Sequence, residues 1–181
     1  MIGELSTMSV TEYLEFEKTS EVRHEFVDGV LIPMPGTSRQ HGNIVLNIVE
    51  ILRPKARAKQ CELQAIDIKT PTQNSRYRYP DILISCKPNK DKYILENPCL
   101  LIEVASNSTE HTDRGSKVTE YLKILSLETY AIVGQDKPEI TIYRRDEKGW
   151  RVDILEKTGA FYIPCLDSHL SLEEIYAGVE L

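Results

Sequence analysis

Apolar positions change period several times along the chain, and those changes mark its elements. Ser9-Val10-Thr11-Glu12 has the form of a capping box, and Tyr13, Leu14 and Phe16 supply an apolar face, predicting a short first helix. Arg23 to Pro35 reads as a hairpin around Asp28-Gly29, a turn dipeptide between two apolar stretches. Ser38 opens a helix in which Ile44, Val45, Ile48, Val49 and Leu52 recur at helical spacing. Pro54 should end or bend it.

The period then shortens. Leu63 to Lys69 predicts a strand, Pro71 to Arg76 a polar turn region, and Asp81 to Cys86 a short strand with an acid at its start. Leu100-Leu101-Ile102-Glu103-Val104 is a nearly continuous apolar run, the pattern of an interior strand covered on both faces. Asp113 to Leu125 predicts a helix buried through Val118, Tyr121, Leu122 and Leu125. Three further strands follow, at Thr129–Val133, Glu139–Arg144 and Trp150–Leu155. Ser171-Leu172-Glu173-Glu174 is a second capping box, opening a C-terminal helix. No repeat, linker or low-complexity tract interrupts the 181 residues, so the pattern predicts a single α/β domain over 1–181, a mixed sheet flanked by helices.

Composition narrows the class. Hydrophobic residues are 41% and charged residues 28%, ordinary for a globular protein, and no apolar run reaches the ~18–20 residues of a membrane span. Met1-Ile2-Gly3-Glu4-Leu5 lacks the basic start and apolar core of a signal peptide. The four cysteines, at 61, 86, 99 and 165, show no paired spacing, so reduced thiols are expected rather than disulfides or a zinc site. These features predict a soluble, cytoplasmic protein.

The net charge of −6 excludes a polybasic nucleic-acid binder, but the charge is unevenly spread. Residues 1–30 carry −5 and 151–181 carry −4, whereas Arg39 to Lys92 carries +6. Arg53, Lys55, Arg57 and Lys59 form a basic run within this stretch, a candidate contact for a phosphate backbone.

Asp81 and Glu103 carry the most chemical information. An ionised carboxylate in an apolar strand is costly unless paired, hydrogen-bonded or bound to a cation. They stand 22 residues apart, room for a strand, a loop and a return strand. On neighbouring strands they would project from one sheet face and offer two hard oxygen ligands suited to magnesium. Each also has a plainer explanation: Asp81 after Pro80 as a turn residue, Glu103 as the partner of an arginine or lysine.

Pro80-Asp81 followed by Glu103-Val104-Ala105 resembles the Pro-Asp…(Asp/Glu)-x-Lys signature of restriction-endonuclease-like nucleases. More specifically, the chain resembles the Uma-type "putative restriction endonuclease" family. The resemblance runs through Arg23-His24-Glu25-Phe26-Val27-Asp28-Gly29, Ser38 with His41, Tyr79-Pro80-Asp81 and Ile102-Glu103-Val104-Ala105-Ser106. It continues through Thr109, Asp113-Arg114-Gly115-Ser116-Lys117, Tyr121, Tyr143-Arg144-Arg145, Trp150 and Leu170 to Tyr176. It implies a restriction-endonuclease-like fold, a central mixed β-sheet flanked by α-helices, with an N-terminal helix and hairpin and a C-terminal β-hairpin and short helix. It also implies a phosphodiesterase dependent on Mg2+ (or Mn2+), with Asp81 and Glu103 as metal ligands. The chain departs from the signature at Ala105, where the lysine should stand; the Uma-type pattern offers Lys117 from the following helix instead. His41 and Glu25 are candidate supporting residues, the latter as a third carboxylate near the metal. Asp67 and Lys69 are further supporting candidates, while His111 and His169 read as loop residues.

The function expected is metal-dependent hydrolysis of phosphodiester bonds in DNA, by a homodimer that addresses both strands. The alternative is a non-catalytic module of the same fold that binds nucleic acid or a protein.

Overall fold

The computed structural model describes residues 7–105 and 113–180, with the side chains of the second segment from residue 115. Met1–Leu5, Ser106, Thr109 and His111 lie outside the described residues. The first helix, α1 (Val10–Thr19), carries the predicted Ser9–Glu12 capping box. Tyr13 is buried and stacks on Phe26 at 4.6 Å between ring centroids. Phe16 is exposed, and Glu17 takes the buried position instead, because its carboxylate meets His24 and Tyr79 from other elements. Strands β1 (His24–Val27) and β2 (Val30–Pro33) turn at Asp28-Gly29, with φ of 49° and 94°. Glycine is also required for room: a Cβ at Gly29 would lie 2.5 Å from that of Thr7.

Helix α2 (Arg39–Ala58) starts at Ser38, whose hydroxyl accepts from the His41 amide. Pro54 neither ends it nor stops its last turn. Pro54 and Glu50 both face solvent, so the Glu50 carbonyl that loses its partner can be hydrated. Strand β3 (Glu62–Ala65) is shorter than predicted because Ile66 and Asp67 take positive φ. The expected turn region instead contains a hairpin, β4 (Thr70–Gln73) and β5 (Arg76–Arg78). Strands β6 (Ile82–Ser85) and β7 (Leu100–Ala105) are wholly buried. A π-helical turn at Asp113–Lys117 leads into α3 (Val118–Tyr121), a much shorter helix than the pattern predicted. Ile124 is buried there and Leu125 is exposed, since the chain has left helical period by that point.

The remainder follows the predicted order: β8 (Thr129–Gly134), β9 (Glu139–Asp146), β10 (Gly149–Glu156), β11 (Ala160–Ile163), β12 (Ser168–Ser171) and α4 (Leu172–Ile175). The main sheet runs β10-β9-β8-β7-β6-β3, and its β7–β8 pair is parallel while the others are antiparallel. A second sheet, β2-β1-β5-β4, unites the two hairpins, and β11 pairs with β12. Alternation along β7 divides the core. Leu100, Ile102 and Val104 pack with Ile44, Ile48 and Leu52 of α2, while Leu101 and Ala105 pack with Val118, Tyr121 and Tyr130 on the other face.

The cysteines depart from expectation. Cys61 is bonded to Cys86 and Cys99 to Cys165, at the end of β6–β7 where Cys86 leaves one strand and Cys99 enters the other. Spacing in sequence gave no sign of this, because four separate segments bring the sulfurs together.

Candidate active site

The site forms where β6 begins and β7 ends. These strands are antiparallel, with Ile82 opposite Ile102 and Leu83 opposite Leu101; one residue further out, Asp81 lies opposite Glu103. Glu103 falls on the α3 face of the sheet by alternation. Asp81 sits just outside the strand, where its carboxylate is held from two sides. The Val104 amide donates to Oδ2 at 2.7 Å, and His41 Nε2 lies 3.1 Å from Oδ1. The Ser38 cap places His41 in the first turn of α2, and the Ser38 hydroxyl donates to Gln135 at 3.0 Å.

Opposite them stands Lys117, the last residue of the π-helical turn. Its ammonium lies 3.0 Å from Glu25 Oε1 and 3.4 Å from Glu103 Oε1. The Tyr121 hydroxyl, one turn further on, donates to the same Glu103 oxygen at 2.8 Å. Asp81, Glu103, Glu25, His41 and Lys117 therefore line one cavity of about 370 Å³, closed on another side by the Met34-to-Ser38 segment. The five side chains come from four separate elements and from the loop before β6.

Two groups have electrostatics set by this arrangement. Burial works against a charged His41 imidazole, but the hydrogen bond and charge of Asp81 outweigh it and raise its pKa above 6.5. Burial, reinforced by Glu103 and Glu25, pushes the Tyr121 phenol far above its ordinary range, so it remains a donor to Glu103. Glu25 is fixed from behind: Arg78 donates to its Oε2 at 2.7 Å. Glu25 Oε1 is buried and, among the described residues, accepts no well-directed hydrogen bond; its near neighbour is the Lys117 ammonium. Three carboxylates around one cavity, one with such an oxygen, form a hard donor set that fits a magnesium or manganese ion. Asp81, Glu103 and Glu25 are the residues that could hold it.

A family model for Uma2, "Putative restriction endonuclease", matches residues 10–172. The chain belongs to the Uma2 family. Among its relatives, the uncharacterized protein slr1290 of Synechocystis is 28% identical over 176 residues, covering 95% of this chain and 93% of that one. A second, sll1609 of the same organism, is 26% identical over 140 residues, covering 75% and 79%. A crystal structure described as a putative nuclease belonging to DUF820, from Anabaena variabilis, superposes with a TM-score of 0.78 at 17% identity. It covers 96% of this chain and 99% of that one, which shows the restriction-endonuclease-like fold.

In this Uma2 chain the basic run lies elsewhere. Arg53, Lys55 and Arg57 occupy the last turns of α2 and Lys59 caps it, about 18–27 Å along the helix axis from His41. The Lys55 ammonium donates to the His169 carbonyl, and Lys59 lies 3.4 Å from Asp167, whereas Arg53 and Arg57 are exposed. Asp67 is exposed near Arg23, and Lys69 is buried against Tyr79; neither lines the cavity. His169 lies exposed in β12, not in a loop.

Sequence reasoning missed the residues behind the cavity. Arg78 bridges Glu25 to Glu120, donating to the two Glu120 oxygens at 2.8 and 2.7 Å. Arg76 and Thr72 also donate to Glu120, and Tyr121 holds Glu103. The available signal was the alternation of Arg76-Tyr77-Arg78, which reads as a strand with two charges on one face.

Proposed function

We propose that this protein is a metal-dependent endonuclease that hydrolyses phosphodiester bonds in DNA. The observation that carries the reading is the gathering of Asp81, Glu103 and Glu25 around one cavity with the Lys117 ammonium among them. Membership of a family described as "Putative restriction endonuclease" supports it. A divalent cation held by the carboxylates would stabilise charge on a phosphoryl oxygen and lower the pKa of attacking water. Lys117 supplies the positive charge that Ala105 does not, and from its place beside Glu103 it orients water and offsets charge developing on the phosphoryl group. Tyr121 keeps the Glu103 carboxylate in place, and Arg78 does the same for Glu25. His41, protonated more readily than a free imidazole, holds Asp81 at the edge of the cavity.

Thermal melting with manganese tests the centre directly. At about 100 times its Kd a cation adds ~2.7 kcal/mol, and Tm should rise by about 5–10 °C for a chain of this size. Asp81→Ala should remove most of the rise. No shift, together with no nicking of DNA in magnesium or manganese, would point to the non-catalytic binding module instead.

The proposed DNA path continues along α2. The axial distance from His41 to Arg53 is that of about five base pairs of duplex, so one DNA could meet both. Arg53→Ala with Arg57→Ala should weaken DNA binding and make the slope of log K against log salt shallower by about 0.9 per lost phosphate contact. Salt titrations that superpose with those of the unaltered chain would remove α2 from the interface. The reading includes a homodimer, since two such centres are needed to cut both strands at once.

A further inference from the structure

The other end of the β6–β7 pair carries a second cluster that the nuclease reading does not use. Cys61 closes the turn after α2, its amide donating to the Ala56 carbonyl. Cys86 follows β6, Cys99 precedes β7, and Cys165 sits in the 3-10 turn Pro164–Leu166 between β11 and β12. The sulfurs of Cys86, Cys99 and Cys165 all lie within 4.8 Å of one another, and that of Cys61 is bonded to Cys86. Three sulfurs thus meet at one point, with the fourth, that of Cys61, bonded to one of them.

We propose that this cluster is a structural zinc-thiolate site, with Cys61, Cys86, Cys99 and Cys165 as its four ligands, and that the two disulfides are its oxidised form. Zinc takes thiolates in a closed tetrahedron at Zn–S about 2.3 Å, which sets sulfurs about 3.8 Å apart. Cys86 and Cys99, which are not bonded to each other, stand 3.8 Å apart. The donor set is the soft, all-sulfur one that selects zinc over the hard cations suited to Asp81 and Glu103. A domain of this size has core enough without disulfide staples. One metal would join all four segments, fastening the C-terminal hairpin to the main sheet.

The chemistry balances simply. A dithiol gives two electrons and two protons to each disulfide, becoming a disulfide itself and leaving two cysteine thiols. The four thiols then bind one Zn2+ and release four protons.

The test reduces the full chain with dithiothreitol, removes the reductant without oxygen, and titrates with cobalt(II) alone. The expected result is one cobalt per chain, with the sulfur-to-cobalt charge-transfer band and strong visible bands of a tetrahedral thiolate site, bleached by one equivalent of zinc. Zinc should also slow alkylation of the cysteines by at least about tenfold. The spectrum should persist in Asp81→Asn/Glu103→Gln. It should lose charge-transfer intensity in Cys86→Ser, and in Cys165→Ser should the first variant prove unfolded by circular dichroism. Absence of the charge-transfer band in the reduced chain, or a spectrum lost with the two carboxylates and kept in both cysteine variants, would overturn the proposal.

Discussion

Asp81→Ala and Glu103→Ala should each lower metal-dependent nicking of supercoiled DNA by about three orders of magnitude, ~4 kcal/mol of transition-state stabilisation. Each substitution removes one of the three carboxylates around the cavity, and Glu25, which turns only Oε1 toward Lys117, cannot stand in for either. Glu25 is committed through Oε2 to Arg78, and the Asp81 oxygens are individually held by His41 and the Val104 amide. Lys117→Met should behave differently. The ammonium lies against Glu25 and Glu103, so removing it lowers kcat while leaving manganese binding as tight or tighter. Plasmid nicking under single-turnover conditions, paired with manganese-dependent melting, separates the two effects. Nicking that survives both carboxylate substitutions would show that the activity came from another nuclease and would remove the endonuclease reading.

Glu120→Gln should destabilise the fold by about 3–5 kcal/mol, measured by urea unfolding at neutral pH. Glu120 is 1% exposed and takes hydrogen bonds from Arg78, Arg76 and Thr72; losing its charge leaves the Arg78 guanidinium, 3% exposed, short of a partner. Burial alone would raise the Glu120 pKa, but Arg78 and then Arg76 outweigh it and hold it below 4.5. A carboxyl depressed in the folded state stabilises the fold fully above its unfolded pKa, and this is lost as pH falls through the folded one. Unaltered protein should therefore lose stability progressively below about pH 4.5. Glu120→Gln should lose less over that window, because the group that takes up the proton is gone. A urea midpoint within ~0.5 kcal/mol of the unaltered chain would show that the network contributes little. Since Arg78 also fixes Glu25, a stability loss without any change at the cavity would show that the two ends of this guanidinium act separately.

The parts of this protein that depend on neighbours along the chain are legible in the sequence. Ser9 and Glu12, Ser171 and Glu174, and Asp28-Gly29 specify helix starts and a turn through groups within a few residues of one another. The period of Ile44, Ile48 and Leu52 and the apolar run of β7 specify a buried helix and an interior strand. Asp81 and Glu103 stand out because a charge in an apolar strand demands a partner, although the partner itself cannot be read.

Other features were decided only when distant segments met. Whether β6 and β7 are neighbours is a matter of pairing, and their register is what sets Asp81 opposite Glu103. The β4–β5 hairpin looks like a polar turn in sequence because Arg78 and Thr72 are polar. They are buried only because Glu120, more than forty residues on, arrives to satisfy them. Pro54 continues a helix because the carbonyl it orphans faces water, which depends on how α2 lies against the sheet. The four cysteines carry no spacing signal for the same reason: pairing of β3, β6 and β7 brings Cys61, Cys86 and Cys99 to one sheet end, and the C-terminal hairpin adds Cys165. Sequence alone determined where local hydrogen bonds and apolar periods place elements and which charges need partners. The tertiary structure decided who those partners are, because a buried charge or sulfur is satisfied by whatever packing delivers to it, at any distance along the chain.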